Sequence, residues 1–220
     1  MEGLKLKQPI ILLNGVLVYD TVQQCYTQIS TIAPQAACAV ADILHALKIN
    51  GFMSKFVDGE IITYHERLDQ KAQRDFVEER MALYGKKFIQ TNRLSDVSDD
   101  SIIHFSLFDE HRRLQPVHDA VSALPGLNNV FYQDSYNPEF WFLEICSDKA
   151  SKQTGVAYLR QTLGYEKVVC FGDNLNDLPL FAACDVRVAV ENAKPEIIAA
   201  ADYICESNEN DGVARWLMQQ

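Results

Sequence analysis

Val168-Val169-Cys170-Phe171-Gly172-Asp173-Asn174-Leu175-Asn176-Asp177 is the stretch on which the fold turns. Four apolar residues in succession fit a strand buried on both faces, and Gly172 lets the chain leave it. Asp173 then stands at the strand's carboxyl end, the place where open α/β sheets bind ligands. With a helix beginning near Asn174, Asp173 and Asp177 lie close together on its first turn. Such a hard-oxygen pair suits magnesium, which takes one or two carboxylates and leaves other positions to water and phosphate. The same spacing reads equally well as an acid capping orphan N–H groups at a helix start, with no metal involved.

Outward from that stretch, the tail alternates in type. A helix is expected over 151–163, a strand over 167–171, a helix over 174–183, a strand over 186–190, and helices over 195–201 and 211–218. That is the rhythm of a doubly wound parallel sheet, and the fold class is α/β. Near the start, Ile10-Ile11-Leu12-Leu13 is another apolar run, closed by Asn14-Gly15, with a second short strand over 16–19. The region between has a different texture: a helix over 34–49, a hairpin about Asp58-Gly59-Glu60, a helix over 68–84 with Ala72, Phe76 and Met81 inward, and further strands and a helix to 145. Residues 1–19 and 148–220 are expected to share one sheet, with an α+β region, 20–147, inserted between them.

Composition bounds the rest. The 220 residues are 48% hydrophobic and 23% charged, an ordinary balance for a globular chain able to bury a core. A net charge of −10 argues against nucleic acid as a partner but leaves small phosphates open, since these need only a few local cations. Cys25, Cys38, Cys146, Cys170, Cys184 and Cys205 form no C-x-x-C pair, so buried reduced thiols are expected rather than zinc or a disulfide framework. Lys5 and Lys7 ahead of an apolar run imitate a signal peptide, but Asn14-Gly15 interrupts the run and no small-x-small site follows. With no apolar stretch of membrane-spanning length, a cytoplasmic location is expected.

Gly172-Asp173-Asn174-Leu175-Asn176-Asp177 resembles the G-D-x-x-N-D fourth motif of phosphatases of the haloacid dehalogenase (HAD) superfamily. Asn192-Ala193, Ala201-Asp202-Tyr203 and Asp211-Gly212-Val213 are similar to the pattern of its Cof-type (type IIB) branch, and Ser151-Lys152-Gln153 to the segment holding the third-motif lysine, with Gln153 in place of glycine. Asn14-Gly15 looks like the N-G that closes the third core strand. The resemblance implies a Rossmann-like core with an inserted α+β cap, Mg2+ as cofactor and a small phosphorylated metabolite as partner. Lys152 would set a cation against the phosphate, Asp173 would hold magnesium with Asp177, and Asn176 and Asn14 would serve the phosphate. Cap residues such as Tyr64, His65, His104 or Arg112 would bear on substrate choice, although His104 reads first as a packed strand residue.

One departure matters. Family members form an aspartyl-phosphate on the first Asp of D-x-D-G-[TS], and the 220 residues contain no such motif. The first core strand, which the family places between the strands ending at Asn14 and Phe171, and the second motif are also expected to be missing. The sequence therefore reads as an N-terminal truncation of a phosphatase, inactive as it stands, or as a non-catalytic phosphate-binding or regulatory relative. A P-type ATPase fragment, which shares the fourth motif, is disfavoured by the lack of membrane spans.

Overall fold

The computed structural model describes residues 6–134 and 137–219; Lys5, which entered the leader argument, lies outside the described residues. The chain divides into two compact units, Met1–Gln24 with Ala150–Gln220, and Cys25–Lys149. The sequence reading set those boundaries at 19/20 and 147/148.

The first unit begins with strand β1 (Ile10–Leu12), a tight left-handed turn through Leu13, Asn14 and Gly15, and strand β2 (Leu17–Asp20). The two strands pair antiparallel, Ile11 opposite Val18. Val16, Leu17 and Val18 are fully buried, worth about 1.5–3 kcal/mol each for a side chain of this size.

The second unit opens with strand β3 (Cys25–Ile29), which the sequence reading did not anticipate, and helix α1 (Pro34–Leu47). Proline starts α1, where its missing N–H costs nothing. Lys48 takes the left-handed position that ends it, two residues short of the expected end at 49. Strands β4 (Phe52–Val57) and β5 (Glu60–His65) form the hairpin, with Asp58 and Gly59 both at positive φ. Helix α2 (Lys71–Tyr84), strand β6 (Lys87–Gln90), strand β7 (Ile102–Glu110), helix α3 (His111–Ser122) and strands β8 (Leu127–Gln133) and β9 (Phe140–Ser147) follow. The six strands order as β6-β5-β4-β7-β9-β8.

One face of this sheet, with Met53, Phe105, Leu107, Leu143 and Ile145, packs against Val40 and Leu44 of α1 and Leu114, Val117 and Val121 of α3. On the opposite face, Phe76 of α2 stacks on Phe52 and Phe108. The inward face of α2 differs from expectation: Gln73 and Val77 are buried, whereas Met81 is 48% exposed. Gln73 is accommodated because its amide donates to the Phe108 carbonyl and accepts from Asn50. A polar residue so satisfied can occupy a buried position that hydropathy alone assigns to methionine.

The first unit resumes with helix α4 (Lys152–Leu163), strand β10 (Val169–Gly172), a 3-10 turn (Leu175–Asp177), helix α5 (Leu178–Phe181), strand β11 (Val186–Val190), helix α6 (Pro195–Ala200), strand β12 (Tyr203–Cys205) and helix α7 (Gly212–Leu217). Strands β10, β11 and β12 form a parallel sheet. The fold is α/β, but the expectation of one sheet shared by the first strand and the tail is corrected. β1 belongs to a different sheet from β10–β12, and it is only half-buried rather than buried on both faces. Helix α4 links the two, packing on β1 and on α5. Gly155 permits the first contact, since a Cβ there would lie 2.9 Å from Ile11 Cγ2.

Candidate functional site

The parallel sheet delivers Gly172, paired with Ala189, to its carboxyl edge. A Cβ on Gly172 would lie 2.9 Å from both Asp177 Cβ and the Phe181 ring, so only glycine lets the following turn fold back this tightly. The single helix expected over 174–183 is instead the 3-10 turn followed by α5. Asn174 caps the turn, its Oδ1 accepting from the Leu175 N–H at 2.8 Å. Asp177 reaches back: Oδ2 accepts from the N–H of Asp173 at 3.0 Å and of Asn174 at 3.4 Å. The capping role open to either acid in the sequence therefore falls to Asp177. Asp173 is left at the mouth, its own carbonyl held by the Lys194 N–H at 2.9 Å.

Lys152 arrives from α4. Ser151 caps that helix, its Oγ accepting from the Thr154 N–H at 3.0 Å while Thr154 Oγ1 accepts from the Ser151 N–H at 2.9 Å. This reciprocal box fixes the first turn without help from a carboxylate, and Lys152 Nζ donates to Asp177 Oδ1 at 2.5 Å. The same turn is locked to the Asn14-Gly15 segment. Gly15 sits at φ +103°, and a Cβ there would fall 1.9 Å from the Ser151 carbonyl oxygen.

These elements enclose a cleft of about 580 Å3. Asn14, Lys152, Asp173, Asp177 and Asn208 give it polar groups, and Ile11, Phe171, Leu180, Val190 and Val213 give it apolar walls. Of the five residues singled out from sequence, four meet here; Asn176, half-buried, is not among those lining the cleft. Asn208 was missed. Its Oδ1 accepts from Asn192 Nδ2 at 2.8 Å, a contact between two loops that no periodicity announces.

Burial pushes the Asp173 carboxyl above its ordinary pKa, and the neighbouring Asp177 charge and hydrogen bond push the same way, with Lys152 opposing. Two neighbouring carboxyls retain a proton or attract a cation. Among the described residues, no three His, Cys, Asp or Glu side chains converge as a metal cage. The donor set is a pair, and both oxygens of Asp177 are already engaged by Lys152 and backbone N–H groups. Asp173 is the carboxylate at the cleft mouth, enough for a magnesium ion that keeps most of its water.

The second unit holds the other residues named from sequence. His104 is buried on β7, its pKa pushed down first by burial and next by Lys86, against Glu144. His65 is buried with Nδ1 2.6 Å from the Glu66 carbonyl, and Arg112 is exposed and paired with Glu110. Not every thiol is buried as expected: Cys25 is exposed and Cys38 and Cys184 are partly so. Among the described residues, no helix is long and apolar enough to cross a membrane.

Comparison with known proteins gives the geometry its context. The chain is 43% identical over 76 residues to a protein named putative phosphatase YxeH from Bacillus subtilis, a match covering 34% of this chain and 28% of that one. Among solved structures it resembles TM0651 from Thermotoga maritima, with a TM-score of 0.69 and 24% identity over 94% of this chain and 73% of that one. It also resembles the HAD subclass IIB sugar phosphatase BT4131, with a TM-score of 0.74 and 18% identity over 96% of this chain and 75% of that one. At these identities the likeness is one of fold. The haloacid dehalogenase-like hydrolase family matches residues 1–217, and the chain belongs to that family.

Proposed function

We propose that the cleft is the phosphate- and metal-binding side of a magnesium-dependent phosphatase acting on small organic phosphates such as sugar phosphates. The observation that carries this reading is the chain of contacts Lys152–Asp177–Asp173 at the carboxyl edge of a parallel sheet. Asp177 holds the Lys152 ammonium at the cleft, where a fixed cation offsets the charge of a bound phosphate without reorganising. Asp173 offers its oxygens to magnesium, which when bound neutralises charge between phosphate and protein. Asn14 and Asn208 line the same space. Asn176 would act from outside it, by steadying the turn. The unit Cys25–Lys149 is read as the cap, and the protein as cytoplasmic.

The 220 residues carry no D-x-D-G-[TS] nucleophile, so on this reading they bind phosphate without turning it over. That absence also favours a second reading, a non-catalytic phosphate-binding or regulatory relative. One experiment addresses both. Phosphate release from p-nitrophenyl phosphate is measured with magnesium for this chain and for an in-frame extension that supplies D-x-D-G-[TS]. The phosphatase reading expects release by the extended form alone, abolished by Asp173→Ala. An extended form that binds phosphate but releases none supports the regulatory reading; magnesium-dependent release by the 220-residue chain refutes the claim that it only binds.

A further inference from the structure

The three strands of the parallel sheet each run out into a loop that carries a polar side chain. β10 ends at Gly172 and is followed by Asp173; β11 ends at Val190, paired with Cys205 at the end of β12. Asn192 lies in the loop after β11 and Asn208 in the loop after β12. The first of these loops is tied to Asp173, whose carbonyl accepts from the Lys194 N–H at 2.9 Å. The second is closed on itself, the Ser207 carbonyl accepting from the N–H of Asn210 at 3.0 Å and of Gly212 at 3.1 Å. A reciprocal pair joins the two loops. The Asn208 N–H donates to Asn192 Oδ1 at 3.3 Å, and Asn192 Nδ2 donates to Asn208 Oδ1 at 2.8 Å.

That pair dictates the sense of both amides. A backbone N–H can only donate, so the atom that meets the Asn208 N–H must be the Asn192 oxygen. Asn192 then presents Nδ2 to the Asn208 side chain, and the atom receiving it must in turn be oxygen. Asn208 is left with its Nδ2 amino group, which donates to none of the described residues.

We propose that Asn208 binds phosphate in the cleft by donating from Nδ2 to a phosphate oxygen, and that Asn192 is the positioning residue that fixes its amide in that sense. The inference rests on the phosphatase reading and adds to it a donor and the device that aims the donor. Asn208 lines the cleft together with Lys152 and Asp173.

The choice of ligand follows from chemistry. Magnesium takes oxygen ligands, so an amide that offers only N–H cannot serve it. A donor held in place by a partner meets an oxyanion without reorganising, as an oxyanion hole does. The polar residues of the cleft therefore divide: Asp173 offers oxygen to the metal, whereas Lys152 and Asn208 offer hydrogen to the anion. Aspartate in place of Asn208 would keep the shape and set a negative charge against the phosphate.

The test uses the whole chain. Inorganic phosphate is titrated calorimetrically with magnesium present, and the side-chain amides are followed by heteronuclear NMR. Saturating phosphate should shift the Asn208 Nδ2 resonances. Asn208→Ala should bind phosphate about tenfold more weakly, the effect of one hydrogen bond to a charged group, and Asn208→Asp weaker still. Asn192→Ala should weaken binding about threefold to tenfold in the parent but add nothing in the Asn208→Ala background, since Asn192 acts only through Asn208. A pair that merely braces the loops would lower the melting temperature in these variants and leave phosphate affinity alone. Unmoved Nδ2 resonances at saturation, a measurement that needs no variant, or parent-like affinity in Asn208→Ala would overturn the inference and leave the phosphate site standing. Independent losses from Asn192→Ala and Asn208→Ala would overturn the positioning role. A parent chain that binds no phosphate would instead overturn the phosphatase reading, and the inference with it.

Discussion

Lys152 Nζ and Asp177 Oδ1 stand 2.5 Å apart although 25 positions separate them in sequence, and Asp177 is the more buried partner at 8% side-chain exposure. One carboxylate thus holds a lysine from α4 and caps the turn that follows β10.

Removing Asp177 should therefore do two kinds of damage. Asp177→Ala strands a half-buried ammonium and leaves the Asp173 and Asn174 N–H groups without their acceptor. A loss of about 2–4 kcal/mol is expected in urea denaturation. Lys152→Ala leaves the cap intact and should cost less stability. In an extended, active form it should lower turnover on the order of a hundredfold or more. Wild-type kinetics for Lys152→Ala would show that this lysine is not the one facing phosphate.

Asp173 should show the opposite trade. Its carboxyl is pushed toward protonation by burial and by Asp177, so at neutral pH its charge opposes folding. Without magnesium, Asp173→Asn should be more stable than the parent by a few tenths to about 1 kcal/mol, since part of the group is solvated. Calorimetric titration should find magnesium affinity reduced in the same variant. A less stable Asp173→Asn protein would contradict the electrostatic account.

Glycine substitutions should rank by what their Cβ meets. Gly15→Ala places a methyl 1.9 Å from a backbone oxygen at φ +103°, whereas Gly172→Ala meets side-chain atoms at 2.9 Å. Gly172→Ala should cost about 1–3 kcal/mol, and Gly15→Ala more, because backbone yields less than a side chain. Chemical denaturation of the two variants checks the order.

Within Cys25–Lys149, burial raises the Asp99 pKa, but hydrogen bonds from Lys55 and Ser101 outweigh it and bring it to about 2 from an ordinary 3.8. A depressed carboxylate contributes stability that is present above 3.8 and lost as pH falls through about 2. Lys55→Met should flatten the fall in melting temperature across that interval and lower stability at neutral pH by about 1 kcal/mol, since Asp99 is half-exposed. An unchanged acid profile would show that the pair contributes nothing.

The same unit has its own sheet, helices and core, and Cys25–Lys149 expressed alone should melt cooperatively. A broad, non-cooperative melt followed by circular dichroism would show that it depends on the rest of the chain.

Much of this molecule is legible in one dimension because its causes are local. The hairpin at Asp58-Gly59, proline at the start of α1, the parallel rhythm of the tail and the carboxylate after Gly172 follow from backbone preference and from runs of apolar residues, which act over a few positions. The short strands β3 and β12 were missed because three to five residues hold too little pattern to separate from loop. Tertiary structure alone decided the rest. It gave Asp177 rather than Asp173 the capping role, because the missing Cβ of Gly172 lets the turn fold back on the strand. It put Gln73 inside and Met81 outside, because a satisfied amide fits where hydropathy expects a thioether. It kept β1 out of the parallel sheet and joined them through α4, and it set Asn208 in the same cleft as Lys152. Each of these depends on groups far apart along the chain, whose meeting is fixed by packing rather than by any spacing in the sequence.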